Sequence, residues 1–580
     1  MSNVSVEQIK DQSRSLRGSV AQTLSGDAAH FSDEEYQLLK FHGTYQQDDR
    51  DLRNERKKAG LDKAWSFMVR SKIPGGALNA AQYLLHDKMA DDLGNGTIRI
   101  TNRQGFQMHG VIKGSLKDCI ARIVQGGLTT WGACGDVVRN TMAAAAPFQT
   151  PAHQDVQAFA RALSDTFLPA STAYSEIWLD GQKLELGGHD KEEPIYGKHY
   201  LPRKFKIGIA IPPVNDSDIF TQDIGFAAHV VNGRVAGYNV HVGGGFGMSH
   251  GQTQTYPVLA KPLFYVAAEH AVQAAIAIVT TQRDFGNRED RKQARLKYTI
   301  EKRGLEWFRN EVLSRMPGIP TEPLKPLAFT TVGDCLGWHE QGDGKWFVGI
   351  WVEQGRIKDT DAVHYRTAFR EIAQQFSPPV RLTSNANLIF HDIAPADKEA
   401  IDAILRRHRL PVPSEMTEAR KTSHACVALP TCGLALAESE RVLGTVMDKI
   451  DAILQELGLA QEPILIRMTG CPNGCGRPYN ADFGFVGRAP KKYAFYLGGS
   501  SRGDRLAGLE KKSITEEEIP GLVRGFLEDY KSRRHPGESF TDFIGRTHTT
   551  GAAPHPDQFH AEFAARAEAL ASQKNTAPLD

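Results

Sequence analysis

This chain lacks an excess of charge of either sign. Its 580 residues hold 69 Lys and Arg against 68 Asp and Glu, so no global field draws it toward nucleic acid or an anionic membrane. Any anion it handles must meet a local cluster. Long apolar runs are missing too: the most apolar stretch, HAVQAAIAIV at 270–279, is far shorter than the ~20 residues of a spanning helix. The first twenty residues, MSNVSVEQIKDQSRSLRGSV, hold no apolar core of a secretory signal. A cytoplasmic protein without membrane or nucleic-acid partners is expected. Cysteine is scarce, at seven residues, and in a reducing compartment clustered thiols more often bind metal than form disulfides. A complete dinucleotide fingerprint is also absent. HVGGGFGMSHG (241–251) offers Gly243-x-Gly245, but Met248 stands where the third glycine belongs, so the stretch reads as a glycine-rich turn between strands.

What is present is ordinary globular composition, 41% hydrophobic and 24% charged, in a chain long enough for two to four domains. Residues 1–63 are polar and read as an arm, loosely ordered unless a partner binds it. An internal repeat follows. Residues 97–128 align with 379–410 at a constant offset of 282, matching Thr101 to Thr383 and His109 to His391. Each copy reads as strand, turn, strand and amphipathic helix. The expected architecture is α+β in three modules. Two half-units, 64–134 and 334–413, pair into one domain, flanked by 135–333 and 414–545, with a peripheral tail at 546–580 holding a short Ala-rich helix. Cys119, Cys134 and Cys335 stand singly and are each expected to be small buried hydrophobes.

The other four cysteines form a pattern: Cys426-x5-Cys432, then 38 residues, then Cys471-x3-Cys475. Between the pairs, Val442, Leu443, Val446, Met447, Ile450, Leu454 and Leu457 keep helical spacing, with Gly458 placed as a C-cap. ILIRM (464–468) predicts a buried strand that delivers the chain into TGCPNGC. Pro472 and Gly474 shape a sharp turn there, while Gly470 and Gly476 admit close backbone approach. Four thiolates on an iron–sulfur cluster, a structural zinc site and incidental core thiols all remain open. The x5 spacing fits zinc poorly.

HACVALPTC followed by TGCPNGCGRPY closely resembles the siroheme and iron–sulfur signature of the sulfite and nitrite reductase family. FHGTYQQDDRDLR, IPGGAL, TNRQGFQMHG, EIWLDG, YLPRKFK and VTTQRDFGNREDRK look like family stretches in family order, so the resemblance covers roughly 35–545. It implies that Cys426, Cys432, Cys471 and Cys475 bind a [4Fe-4S] cluster, and that Cys475 also gives siroheme iron its axial thiolate. By the same resemblance, sulfite binding falls to Arg70, Arg139, Lys204 and Lys206. Lys204 and Lys206 alternate along the predicted strand 204–212 and so share one face. Arg103, His109 and Arg203 are implied siroheme contacts, with Arg283, Asn287, Arg288 and Arg291 as further candidates and Asn473 in the cysteine turn. The assimilatory branch resembled most draws on NADPH through a flavoprotein (alpha) component carrying FAD and FMN, for which the N-terminal arm is a docking element. A ferredoxin-dependent sulfite or nitrite reductase and a non-catalytic zinc-binding protein are the alternatives. Both arginines and the RKFK pair favour sulfite over nitrite.

Overall fold

The repeated sequence folds twice, and the two copies complete each other. The computed structural model describes residues 4–170, 177–179, 182–184 and 193–548. The tail helix expected beyond that point, and all of EIWLDG except the strand Ile177–Leu179, lie outside the described residues. In the first copy, strands Ile98–Ile100 and Phe106–Val111 form a hairpin. The turn Lys113–Ser115 then leads into helix Leu116–Gln125. The second copy repeats this with Val380–Leu382, Leu388–Ile393, Pro395–Asp397 and Lys398–Arg407. Each boundary stands 282 positions from its counterpart. Helix periodicity buries Leu116, Cys119 and Ile123 in one copy, and Ile401 and Ile404 in the other. Cys119 occupies the place of Ile401, and burial pushes its thiol up to about 12.

Each copy also lends the other an edge strand. One five-stranded sheet runs Thr44–Asp48, Trp65–Arg70, Phe106–Val111, Ile98–Ile100 and then Arg356–Ile357, which comes from the second copy. The other runs Gly337–Glu340, Trp346–Ile350, Leu388–Ile393, Val380–Leu382 and then Ala77–Leu78 from the first. Glycine makes both exchanges possible. Gly76 (φ +72°) and Gly355 (φ +73°) precede the lent strands, and a Cβ on either would stand 2.3 Å from Leu382 O or 2.5 Å from Ile100 O. The halves share one core, where the Tyr83 ring meets Phe106, Phe369 and Phe390 at 6.2–6.5 Å. A buried clasp joins their helices Ala80–Asp92 and Tyr365–Phe376: Asp87 takes Arg366 Nε at 2.6 Å and Arg370 Nε at 2.5 Å.

The loose arm expected over 1–63 gives way to packed structure from residue 4. Its apolar residues are few, but Ile9, Leu16, Phe31, Leu38, Leu39 and Phe41 are all buried. Ser5 and Ser32 close capping boxes on helices Val6–Gln12 and Asp33–Leu39. Thr44–Asp48 pairs in register with Trp65–Arg70. Helices Val20–Ser25 and Arg53–Lys58 bury nothing.

By its internal contacts the chain divides into two compact units. The first comprises Met1–Gly243, Ala260–Met416 and Pro430–Gly433. Besides both repeats it holds a four-stranded sheet ordered Lys261–Ala267, Arg234–Val242, Ile224–Val231, Ile207–Ala210, whose last pair is parallel. Helices Pro151–Thr166 and Ala271–Phe285 share the core of that sheet. The second unit comprises Gly244–Leu259, Thr417–Leu429 and Leu434–Asp580. Its sheet runs His424–Ala425, Ile466–Thr469, Phe483–Ala489, Lys492–Leu497, Gly508–Thr515, with the first two pairings parallel. Helix Glu440–Leu457 buries Leu443, Val446, Met447, Ile450 and Leu454 of the predicted stripe, leaves Val442 and Leu457 half-buried, and ends at Gly458 in the left-handed region. The glycine-rich stretch is a turn with no helix after it, as read from sequence: Gly245 pairs with Val258, and Phe246 and Met248 are buried.

Gly76→Ala and Gly355→Ala should each cost about 2 kcal/mol or more, because the new methyl meets backbone that cannot yield. Gly114→Ala, facing open space, should stay within about 0.5 kcal/mol. Thermal midpoints of the three variants check this. Asp87→Ala leaves Arg366 buried without its carboxylate and should cost about 3–5 kcal/mol, read in the same scan.

Candidate anion and cofactor site

Two extended segments of the first unit set the basic cluster. Residues 137–142 run parallel to 205–208: Phe205 N donates to Val137 O (3.0 Å), Arg139 N to Phe205 O (2.9 Å) and Met142 N to Ile207 O (3.1 Å). Arg139 is thereby pinned between Lys204 and Lys206 in sequence register. The regular strand starts only at Ile207, so the two lysines lie on its extended approach. Lys206 N donates to Asp223 Oδ2 at 2.8 Å. Asp223 is fully buried and grips Arg295 through three contacts of 2.9–3.2 Å.

Positive charge is crowded here. Lys204 is driven well below the ordinary ammonium value, by burial first and then by Arg203, Arg139, Lys206 and Arg295. Lys297 is driven down likewise, by burial and then Arg295 and Lys206, against the pull of Asp223. Burial, then Arg139, Arg70 and Arg295, push Arg103 down to about 9 despite Asp223. Burial, Arg291 and Arg139 push Arg203 down to about 10 despite Asp136. A guanidinium keeps its proton at neutral pH, so these directions register burial first and like-charge repulsion second, and a bound anion would offset both.

Donors in the cluster are aimed and in part unspent. Arg70 closes the strand Trp65–Arg70 opposite Gln107. It donates from Nη1 to Cys134 Sγ at 3.1 Å and lies 6.0 Å from the Tyr45 ring centroid. The Tyr45 hydroxyl is 3.5 Å from Arg139 Nη2, which also reaches Gly135 O at 3.1 Å. Cys134 is buried but serves as an acceptor for arginine, a role its solitary position in the sequence does not disclose. Cys335 is only half-buried. Arg103 donates to Gln222 Oε1 (2.7 Å), Asn140 O (2.6 Å) and Ile207 O (3.1 Å). Among the described residues, Arg70 Nε, Arg103 Nε and Gln107 Oε1 are buried without a hydrogen-bond partner. His109 Nδ1 lies 3.3 Å from Gln47 Oε1.

The candidates after the long helix do different work. Arg283 bonds Asp284 and Ile195 O (2.6 Å). Arg288 bonds Glu7, Tyr200 O and Arg283 O. Arg291 forms a two-pronged pair with Asp136 at 2.7 and 3.0 Å. Asn287 caps the turn by accepting from Glu289 N and Asp290 N. Protein partners engage all four of these side chains. Sequence reasoning missed Tyr45, Asp223, Arg295 and Lys297. Nothing in the string marks them, since a cation in a fully buried helical turn such as Leu296–Ile300 has the same local pattern as one on a solvated face.

The cysteine turn is built in the second unit. The parallel strands His424–Ala425 and Ile466–Thr469 end side by side and release Cys426 and Cys471 at the same edge. Cys426 Sγ accepts from Thr469 Oγ1 and Gly470 N, each at 3.3 Å. Asn473 Nδ2 lies 3.5 Å from Cys471 Sγ. Burial, then the adjoining thiols of Cys475 and Cys426, push Cys471 up to about 12; three thiols therefore share one neighbourhood. Among the described residues, no three Cys, His, Asp or Glu side chains converge on a point fit for a single metal ion. A Cβ on Gly476 would lie 2.2 Å from Met468 O, and one on Gly470 2.6 Å from Ala428 Cβ. The glycine-rich stretch buttresses the turn: Met248 N donates to Pro472 O at 3.1 Å, and Phe246 packs edge-on to Tyr479, whose hydroxyl donates to Pro472 O at 2.9 Å. Cys432 belongs to the first unit, where its carbonyl accepts from Arg50 Nη1 at 3.1 Å.

Comparison with known proteins gives the same picture of the fold. The family described as Nitrite/Sulfite reductase ferredoxin-like half domain matches twice, at 62–125 and 339–408. The one described as Nitrite and sulphite reductase 4Fe-4S domain matches 159–319, a stretch that holds none of the cysteines. The sulfite reductase [NADPH] hemoprotein beta-component of Shouchella clausii is 45% identical over 96% of this chain and 97% of its own. That of Xylella fastidiosa is 45% identical over 97% and 99%. The solved structure of Mycobacterium tuberculosis NirA protein superposes with a TM-score of 0.75 at 20% identity, covering 96% of this chain and 98% of that one, which establishes a common fold. On the doubled half-domain and on identity across nearly the whole length, this chain belongs to the nitrite and sulfite reductase family.

Proposed function

We propose that this chain reduces sulfite to sulfide by six electrons, at a siroheme joined to a [4Fe-4S] cluster, with electrons drawn from NADPH through a separate flavoprotein holding FAD and FMN. Relatives named sulfite reductase [NADPH] hemoprotein beta-component support the reading. The observation that carries it is the crowding of cations about Arg139: Arg103 and Arg139 are buried, Arg70, Arg203 and Lys204 half-buried, and the buried Nε atoms of Arg70 and Arg103 have no hydrogen-bond partner, a setting that bound anions would complete. A cytoplasmic location goes with this reading; among the described residues no helix is long and apolar enough to cross a membrane.

The residues fit both groups. Siroheme is a polycarboxylate, and Arg103, Arg203 and His109 would hold its acid groups, Arg103 with a buried Nε to spare. Soft thiolates suit iron–sulfur ligation. Cys426, Cys432, Cys471 and Cys475 would ligate the cluster, with Cys475 also holding siroheme and Asn473 beside Cys471. Bound, the pair supplies single-electron steps to the sulfur of the substrate.

The chain's own side chains do the rest. Arg70 and Arg139 present paired N–H donors to sulfite oxygens and hold charge that grows as electrons arrive. Converting sulfite to hydrogen sulfide takes six electrons and eight protons and releases three waters. Lys204, held well below the ordinary ammonium value by burial and then by its cationic neighbours, is suited to give a proton to a departing oxygen. Lys206, held by its amide to Asp223, is the second donor on the same approach.

Arg139→Ala or Lys206→Ala should lower sulfite turnover about 100-fold or more while the visible spectrum of the loaded protein stays unchanged; normal turnover would remove the pocket assignment. Cys475→Ser should lose the coupled centre, read by iron analysis and absorption, and a variant still loaded with both groups would contradict the axial role. Turnover with a purified flavoprotein against turnover with ferredoxin decides the donor.

A further inference from the structure

The loops that carry the basic cluster are fastened by the chain's first helix. Helix Val6–Gln12 buries Ile9 in the same core as Val137, Val138, Leu201 and Phe205. Its Lys10 is 2% exposed, an unusual depth for an ammonium. Lys10 Nζ donates to Leu201 O at 3.0 Å and stands 3.6 Å from Asp136 Oδ2, while Glu7 pairs with it from the same helix. Asp136 takes Arg291 on its other side and accepts Leu201 N through its own carbonyl at 3.0 Å. Glu7 in turn holds Arg288, which donates to Tyr200 O at 2.7 Å. One segment thus bonds to both stretches of the anion cluster: Asp136 lies three positions before Arg139, and Leu201 directly precedes the run to Arg203, Lys204 and Lys206. Burial makes the link specific, because two charges taken from water persist only when each has its partner.

We propose that Lys10 is a positioning residue for the substrate anion, acting through Asp136 and the Leu201 carbonyl to set Arg139 and Lys204 against each other. The first helix is then a strut of the site, and removing it damages sulfite affinity whatever reductant is used. The inference rests on the sulfite reading of the cluster.

Its test uses the full-length loaded protein with a small-molecule reductant. Lys10→Met should raise the KM for sulfite about 10-fold with kcat changed less than about 2-fold. Amide exchange should quicken in peptides 134–141 and 199–206, and Lys10→Arg should restore most of the affinity. A merely structural role would lower the thermal midpoint without splitting KM from kcat. An unchanged KM in folded Lys10→Met protein overturns the inference, as does a fall in kcat alone. Arg139→Ala is run beside it: normal sulfite turnover in that variant overturns the reading of the site itself, and the strut with it.

Discussion

Like charges buried together constrain everything around them. At an effective dielectric near 20, two cations 4 Å apart repel by about 4 kcal/mol, and the chain's net charge of +1 offers no surplus elsewhere to explain the expense. Two buried carboxylates absorb part of it, Asp223 against Arg295 and Asp136 against Arg291 and Lys10. Arg70, Arg103, Arg139 and Lys204 are left facing one another with donors still unspent on two of them. A protein tolerates that arrangement when its working state contains anions. A small oxyanion substrate and a polycarboxylate cofactor are both of that kind.

The duplicated frame shows what such a site demands, because the two copies were tailored differently. At the offset of 282, Arg103 of the first copy corresponds to Asn385 of the second, and Gln107 to Ile389. Asn385 is locked to Val332 O and Asp334, and Ile389 packs with Phe347 and Ala145. The second copy has closed its polar loop on itself and filled the adjoining space with side chains. The first has kept a guanidinium and an amide with unspent buried atoms. The exchanged edge strands tie the open copy to the closed one, so an unrelieved polar face sits on a core made by both halves.

Much of this was legible in the sequence where regular spacing carries the signal. The offset of 282 announced a second strand, turn, strand and helix, whose ends fall 282 positions from those of the first, and the Val442-to-Leu457 stripe gave a helix that stops at Gly458. The cysteine spacing located a turn between strand ends. Sequence failed where the decisive contact is long-range. The N-terminal segment looks polar because its few apolar residues are spread thinly, yet Ile9, Leu16, Phe31, Leu38, Leu39 and Phe41 are buried and its Lys10 finds Asp136 far along the chain. Arg283 and Arg288 share composition with Arg103 but are consumed by carbonyls and by Glu7. Lys297 differs from a solvated lysine only in what surrounds it. Charge type is written in the sequence; desolvation is not.

The cysteine turn shows why its glycines matter as much as its thiols. Two parallel strands can set Cys426 and Cys471 at one edge only if the chain turns sharply once it leaves the sheet. Gly470 and Gly476 sit against Ala428 and Met468 O at distances no side chain would allow, so the return path lies directly on the strand ends. That leaves Gly470 N free to donate to Cys426 Sγ, an outer hydrogen bond of the kind that tunes a thiolate ligand. The glycine-rich stretch 244–259 then acts as a backstop, with Met248 N and the Tyr479 hydroxyl both donating to Pro472 O. A stretch that offers part of a nucleotide fingerprint serves instead to hold a thiol-bearing turn rigid, because flexible backbone and small residues are what close packing against such a turn requires.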